Sequence, residues 1–323
     1  MLVRILFLIG LLLFAGACYA PDETLFEPVE PTDTYQAKSS VTEKSFIPTG
    51  TVQSADLIPT SSALPEIVPK ISEEGKDTSM QAAESLSIII VYDNNPYDPR
   101  LRSSWGFSAL VTYLDHVLLF DTGGDGPTLM ANMRVLGIDP TQIESVVLSH
   151  AHGDHTGGLM DLLKDGARPT VYLPPSFPSS FKRQVRQYTS VIEVAPGQSI
   201  AEGLFTTGEM GRDILEQALV VKTESGLVVI TGCAHPGIVP IVERARGMIN
   251  EPVRLVLGGF HLGSKSASEI DAILRDFRRL GVEQVAPCHC TGTRAIDMFA
   301  AEYGNLFIQA GVGRVIRFDT EEH

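Results

Sequence analysis

Six consecutive residues combine the side-chain types that bind metal ions. The run His150-Ala-His152-Gly-Asp154-His155 holds three imidazoles and one carboxylate. Such groups are costly to bury without a partner, and a divalent cation would satisfy all four. On an extended backbone His150 and His152 point the same way, whereas Asp154 and His155 fall at the turn into a helix and can face a second point. The spacing therefore predicts one or two divalent cations.

Paired cations would give this motif a hydrolytic chemistry. They can generate a hydroxide nucleophile at neutral pH and clamp the leaving oxygen. In that chemistry Asp154 is a candidate for two roles, metal ligand and general base. A metal-dependent hydrolase is thus the function that the motif favours.

Three further histidines follow apolar, strand-like runs elsewhere in the chain. His235 follows the run 228–230, His261 follows 255–257 and His289 follows 285–286. If those strands end at one edge of a sheet, the imidazoles converge there with the six-residue motif. Such a site is carried on loops and held by a rigid scaffold.

The hydrophobic pattern from residue 86 onwards predicts an α/β fold. Strand pairs come first in each half and strand–helix units follow, which indicates two packed sheets with helices outside. Strands are predicted at 86–92, 107–114, 117–120, 143–148, 170–173, 218–223, 227–231, 253–257, 284–287, 306–309 and 314–318, with shorter ones near Val191 and Leu204. Helices are predicted at 127–136, 156–163, 238–249, 268–280 and 293–303, and within 174–188.

The first 20 residues have the pattern of an export signal. Arg4 precedes an apolar stretch at 5–14, and small residues then lead to Cys18, which resembles a bacterial lipoprotein signal with Cys18 as the lipidated residue. Two alternatives stay open: cleavage after Ala17 or Ala20, giving a secreted protein, and a retained membrane anchor. All three predict an extracytoplasmic protein, and the first and third tether it to a membrane.

Residues 21–85 differ in composition from the rest of the chain. They are rich in Pro, Ser, Thr and Glu and show no sustained hydrophobic period, so they predict a disordered linker. Residues 86–323 are predicted to form one domain. The net charge of −14, without any basic block, argues against nucleic acid and leaves a small molecule as the expected substrate. The sequence does not indicate an oligomeric state.

Several motifs resemble those of the metallo-β-lactamase superfamily. They are the six-residue motif followed by Thr156-Gly157-Gly158, and Leu119-Phe-Asp121-Thr-Gly123. The stretches 231–238, 258–262 and 287–292 are similar to a subgroup whose namesake is a dihydropterin–ribofuranosylaminobenzene-phosphate synthase. The resemblance covers residues 87–318 and implies a four-layer αββα sandwich of the metallo-β-lactamase type.

The resemblance also implies a ligand set. His150 and His152 would bind a first metal, and Asp154, His155 and His289 a second. Two positions depart from the superfamily pattern.

The superfamily's third histidine is absent from residues 204–210, which contain Glu209 instead, and Cys233 stands at the place of the bridging aspartate. We predict that His235 supplies the missing imidazole. Cys233 is either a thiolate ligand or a bystander, and a thiolate would favour zinc.

Other polar residues are candidates for supporting roles. Asp121 is expected to hydrogen-bond a ligand histidine, and Asn94 to reach the edge of the site. Three roles stay open for His261: substrate contact, metal contact and an ordinary buried histidine.

The functional prediction is a hydrolase that uses one or two divalent ions on an ester, lactone, amide or phosphoester. The alternatives are a pterin-related synthase, a non-hydrolytic redox metalloprotein that would need iron, and a metal-binding lipoprotein without turnover.

Overall fold

The computed structural model describes residues 85–318. The predicted export signal lies outside the described residues, and so does the predicted linker up to residue 84. Within the described range, no helix has both the length and the apolar character needed to cross a bilayer.

The strands form two mixed sheets. The first has the order β13-β1-β2-β3-β4-β5-β6, antiparallel from β13 to β3 and parallel from β3 to β6. Its strands are β1 (Leu86–Asp93), β2 (Phe107–Tyr113), β3 (His116–Phe120), β4 (Ser145–Val147), β5 (Thr170–Leu173), β6 (Val191–Glu193) and β13 (Val315–Phe318).

The second sheet has the order β12-β11-β10-β9-β8-β7. Here β10, β11 and β12 are parallel, and β7 to β10 are joined in antiparallel pairs. Its strands are β7 (Pro196–Ala201), β8 (Leu204–Gly208), β9 (Leu219–Thr223), β10 (Gly226–Thr231), β11 (Val253–Gly259) and β12 (Gln284–Cys288).

Seven α-helices are found among residues 85–318. They are α1 (Gly126–Leu136), α2 (Gly153–Thr156), α3 (Leu159–Lys164), α4 (Ser179–Val185), α5 (Ile238–Ile249), α6 (Ala267–Leu280) and α7 (Thr293–Tyr303).

The alternation of strand side chains produces a four-layer arrangement. In β10, Val228 and Ile230 face the apolar layer between the two sheets, whereas Leu227 and Val229 belong to a layer shared with α5, α6 and α7. A third layer joins the outer face of the first sheet to α1, α3 and α4. The order is helix, sheet, sheet, helix, so the predicted αββα sandwich is confirmed.

Two predicted elements are wrong. The helix predicted at 156–163 is divided into α2 and α3, because Gly157 and Gly158 lie against backbone oxygens of the loop after β3. A Cβ on Gly157 would be 2.1 Å from the Gly124 oxygen. The strand predicted at 306–309 is instead a short 3₁₀ turn (Gly304–Leu306) followed by an isolated bridge between Phe307 and Val285.

Candidate metal centre

The candidate ligands lie where five strands end at one edge of the sandwich. Asp121 follows β3, the motif His150–His155 follows β4, and Cys233 with His235 follows β10. His261 follows β11, and His289 follows β12 directly. The predicted convergence of these side chains is therefore observed.

The chain turns sharply as it leaves these strands. Asp121, Ala234, His261 and His289 all have positive φ angles, of 54°, 60°, 54° and 49°. Left-handed backbone is uncommon outside glycine, and such outliers cluster at functional sites. Four of them at one edge are therefore typical of a functional site.

A first set of donors consists of His150, His152 and His235. One donor atom from each lies within 4.8 Å of the others, and His150 Nε2 is 3.0 Å from His152 Nδ1. Burial, reinforced by the neighbouring imidazoles, holds the pKa of His150 well below its usual range and lowers the pKa of His235 to about 4. Both rings are therefore neutral near pH 7, as metal ligands must be.

A second set consists of Asp154, His155, Cys233 and His289, again with donor atoms within 4.8 Å of one another. His155 Nε2 is 3.2 Å from Cys233 Sγ, and Asp154 Oδ2 is 3.6 Å from His155 Nε2 and 3.4 Å from His289 Nε2. Burial raises the pKa of Asp154, but the adjacent His289 and His155 outweigh it and hold that pKa well below its usual range. Asp154 is thus a carboxylate.

Two buried nitrogen atoms test whether cations fit these sets. Within residues 85–318, Nε2 of His235 has no hydrogen-bond partner, and Nε2 of His289 makes no hydrogen bond but has the Asp154 carboxylate at 3.4 Å. Buried polar atoms are normally satisfied, so the His235 nitrogen in particular needs a partner. The side chains around them, imidazole, cysteine thiol and carboxylate, are of the types that bind zinc, the thiol after loss of its proton. The residues present therefore fit one or two divalent cations.

Asp121 fixes the orientation of His155 from behind. The fully buried carboxylate accepts hydrogen bonds from His155 Nδ1 and from Ser149 N and Oγ, each at 2.7 Å. Because Nδ1 of His155 donates to Asp121, Nε2 is left to face the second set. This is the contact expected of Asp121. Ser149 Oγ also lies 2.9 Å from His150 Nδ1, so one carboxylate supports both sets.

Asn94 holds His289 at the opposite side. Its Oδ1 lies 2.9 Å from His289 Nδ1, and its Nδ2 donates to the His289 backbone oxygen at 3.2 Å. These two bonds fix both the ring and the left-handed backbone of His289. Asn94 thus lies at the edge of the site, as expected from the sequence.

His261 and Glu209 have different outcomes. His261 is exposed, with its ring centroid 4.5 Å from that of His235, so the interpretation as a buried histidine is wrong. It also lies close to Cys233 and His235 as a possible donor.

Glu209 is not brought to the centre. The chain turns at Gly208 (φ 72°), and the Glu209 carboxylate instead accepts a hydrogen bond from Ser176 N at 2.9 Å.

Glu216 is a site residue that the sequence prediction missed. This fully buried carboxylate accepts hydrogen bonds from the backbone N–H groups of Cys233, Ala234 and His235 at 2.9, 2.9 and 2.8 Å. It also lies 4.0 Å from His150 Nδ1. Burial raises the pKa of Glu216 to about 7. No motif surrounds this residue in the β8–β9 hairpin, so no sequence signal identified it.

Open space adjoins the first set. Two cavities of about 540 and 580 Å³ border His235 and His261. The first is also lined by Arg212, in the β8–β9 hairpin, and the second by Lys265. On the side of the second set, Trp105 lies with its ring centroid 4.9 Å from that of His289. A small molecule can therefore approach the donors from solvent.

Comparisons with known proteins find relatives of similar sequence and fold. The family model for the metallo-beta-lactamase superfamily matches residues 106–247. A 7,8-dihydropterin-6-methyl-4-(beta-D-ribofuranosyl)-aminobenzene-5'-phosphate synthase from Methanocaldococcus jannaschii is 30% identical over 248 residues, covering 62% of this chain and 84% of that protein.

Solved structures with a similar fold belong to the same superfamily or share its fold. The crystal structure of a metal-dependent hydrolase of the beta-lactamase superfamily is 32% identical, with a TM-score of 0.62, covering 72% of this chain and 99% of that one. The metallo-beta-lactamase fold protein YhfI from Bacillus subtilis, 16% identical with a TM-score of 0.53, covers 73% of this chain and 100% of that one. The latter shares the fold alone.

Proposed function

This chain belongs to the metallo-beta-lactamase superfamily, and from that premise we propose that it is a metal-dependent hydrolase of an ester, lactone, amide or phosphoester. The observation that carries the proposal is the pair of adjacent donor sets, in which Nε2 of His235 is buried without a hydrogen-bond partner among the described residues. The thiol of Cys233, 3.2 Å from His155 Nε2, favours zinc.

The chain's own residues divide the work of such a reaction. Divalent cations, when bound, polarise a substrate oxygen and lower the pKa of water. Asp154 remains ionised, so its carboxylate can accept a hydrogen bond from a water molecule and orient it. Asp121 and Asn94 keep the rings of His155 and His289 from turning. The cavities beside His235 give the substrate its approach.

The test combines metal content with turnover on the full chain. Zinc, manganese and iron are measured by elemental analysis, and ester, lactone, amide and phosphodiester substrates are screened. We expect Asp154→Asn to lower kcat by roughly 10²- to 10⁴-fold, and the exposed Asp271→Asn on α6 to leave it unchanged. Metal content is measured in both variants. A lower metal content in Asp154→Asn would show that Asp154 acts mainly as a metal ligand. A fully metal-loaded protein without turnover would refute the proposal.

A pterin-related synthase is the second candidate, and the 30% identity to the Methanocaldococcus jannaschii protein supports it. Product formation from the substrates of that synthase, with no hydrolysis in the screen, would favour it. Iron in place of zinc would instead favour a redox protein, and tight metal binding with neither activity would favour a metal-binding lipoprotein.

We further propose that residues 1–20 export the protein and that a lipid on Cys18 tethers it. The sequence pattern alone supports this proposal. Partition of the full chain into membranes, lost in Cys18→Ala, is the expected result. Equal partition of both forms would instead support an uncleaved anchor, and a soluble secreted form would support ordinary cleavage.

A further inference from the structure

Trp105 is placed unusually for a large aromatic side chain. It is the sole tryptophan of the chain, and 58% of its surface is exposed. Its ring lies 4.9 Å from the ring of His289, tilted by 51°. The indole therefore stands beside the second donor set and keeps much of its surface open to solvent.

The backbone on both sides of Trp105 is fixed. Ser104 N donates to the Asp93 oxygen at 3.2 Å. Gly106 is so close to its neighbours that a Cβ there would be 2.4 Å from the Asp154 oxygen and 2.7 Å from Gly124 N. The exposed ring thus belongs to a segment that packs closely against α2, the short helix that carries Asp154.

A second anchor holds the same loop two residues earlier. The buried Asn132 of α1 accepts a hydrogen bond from Arg102 N and donates one to the Arg102 oxygen, both at 2.9 Å. It also donates to the Val91 oxygen at 2.9 Å. The loop between β1 and β2 is therefore tied to the body of the first sheet just before Trp105.

A fixed, exposed aromatic face suits one kind of contact. Aromatic rings attract each other in offset or tilted stacks, and a rigid partner loses little conformational freedom on binding. Trp105 is too exposed to serve mainly as core, and it stands next to donors that would hold the reacting end of a substrate. Its open face is therefore available to the part of the substrate next to that end.

We propose that Trp105 forms an aromatic subsite that stacks a planar ring of the substrate, next to the group held by Asp154, His155 and His289. This inference rests on the proposed function, since it assigns a substrate class to the same site. Planar-ring compounds with a metal-binding group close to the ring are the class that fits. Trp105 then determines specificity by contact with substrate and takes no part in the chemical step.

The experiment compares two carboxylic acids that share one carbon skeleton, the planar aromatic 2-naphthoate and its saturated, non-planar decahydro analogue, on the metal-loaded full chain. Affinities are measured by calorimetry, and in the wild type also by fluorescence, because Trp105 is the sole tryptophan. We expect the planar acid to bind about tenfold more tightly and to change the Trp105 emission. Trp105→Ala should abolish this preference without changing the affinity of the saturated acid, and Trp105→Phe should keep most of it.

Tyr97 provides the matched control. It is an exposed aromatic residue of the same loop, but its ring contacts Arg314 instead of the donor sets. Tyr97→Ala should retain the preference for the planar acid. An undiminished preference in Trp105→Ala, an equal loss in Tyr97→Ala, or no binding of either acid would overturn the proposal. Because binding needs no turnover, a protein that prefers the planar acid yet hydrolyses nothing would refute the hydrolase and keep the subsite.

Discussion

The Glu216 carboxylate offers the sharpest test of how the candidate metal centre is built. It accepts three backbone N–H groups from the turn that carries Cys233 and His235, one member of each donor set. Oε1 accepts two of the bonds and Oε2 the third. Glu216→Gln keeps the shape of the side chain. Its amide oxygen can still accept hydrogen bonds, but its NH₂ group can only donate them.

The expected magnitude follows from that count. In Glu216→Gln at least one buried N–H faces another donor, which costs about 1–3 kcal/mol of the free energy of unfolding. The remaining bonds also lose their charge assistance. Because the turn positions two candidate ligands, we expect the zinc affinity to fall by roughly 10- to 100-fold.

The assay is zinc titration against a competing chelator, with denaturant unfolding of the metal-free protein alongside. Glu209→Gln is the matched control, because Glu209 lies on the same hairpin and accepts a single N–H from Ser176, away from the donor sets. Wild-type zinc affinity in Glu216→Gln would refute the reasoning. An equal loss in both variants would refute it too, since the effect would then come from the hairpin as a whole.

Three further predictions use other contacts. Asn94→Ala removes the acceptor that fixes His289 Nδ1, so zinc affinity should fall about tenfold or more in the same chelator titration; unchanged affinity would contradict it. His235 has a pKa of about 4 in the folded protein and about 6.5 in the unfolded protein. As pH falls from 6.5 to 4 the unfolded state takes up the proton first, so the free energy of unfolding of the metal-free protein, measured by denaturant titration, should fall. His235→Asn should weaken this dependence of the free energy of unfolding on pH. Gly157→Ala should lower Tm, because its Cβ would lie 2.1 Å from a backbone oxygen, whereas Gly247→Ala in open space on α5 should raise it slightly; equal shifts would show that crowding at Gly157 is relieved.

The parts of the centre that could be predicted from sequence are those in which metal-binding residue types lie close together in the chain or directly after a strand-like segment. The run from His150 to His155 and the histidines after strand-like segments are of this kind. Continuous apolar runs, as in β10, likewise predicted strands that are buried on both faces.

The remainder depends on contacts between distant segments. Glu216 acts through hydrogen bonds to a turn on another loop, and nothing around it in sequence marks it. Glu209 lay in the stretch where a third histidine was expected, but the turn at Gly208 directs its carboxylate to Ser176. The division between α2 and α3 arises because Gly157 meets the loop after β3, a contact that helical periodicity cannot reveal.

The origin of the donors in both sheets has a consequence for the order of assembly. Asp154 and His155 follow a strand of the first sheet, whereas Cys233 and His289 follow strands of the second, and β12, which precedes His289, comes late in the chain. Pairings between remote segments form slowly because long loops must close first. We therefore expect a chain that is still being synthesised to lack a competent cation-binding pocket. The ion would be acquired late, and the supply in the compartment where folding finishes would then select which element the mature protein carries.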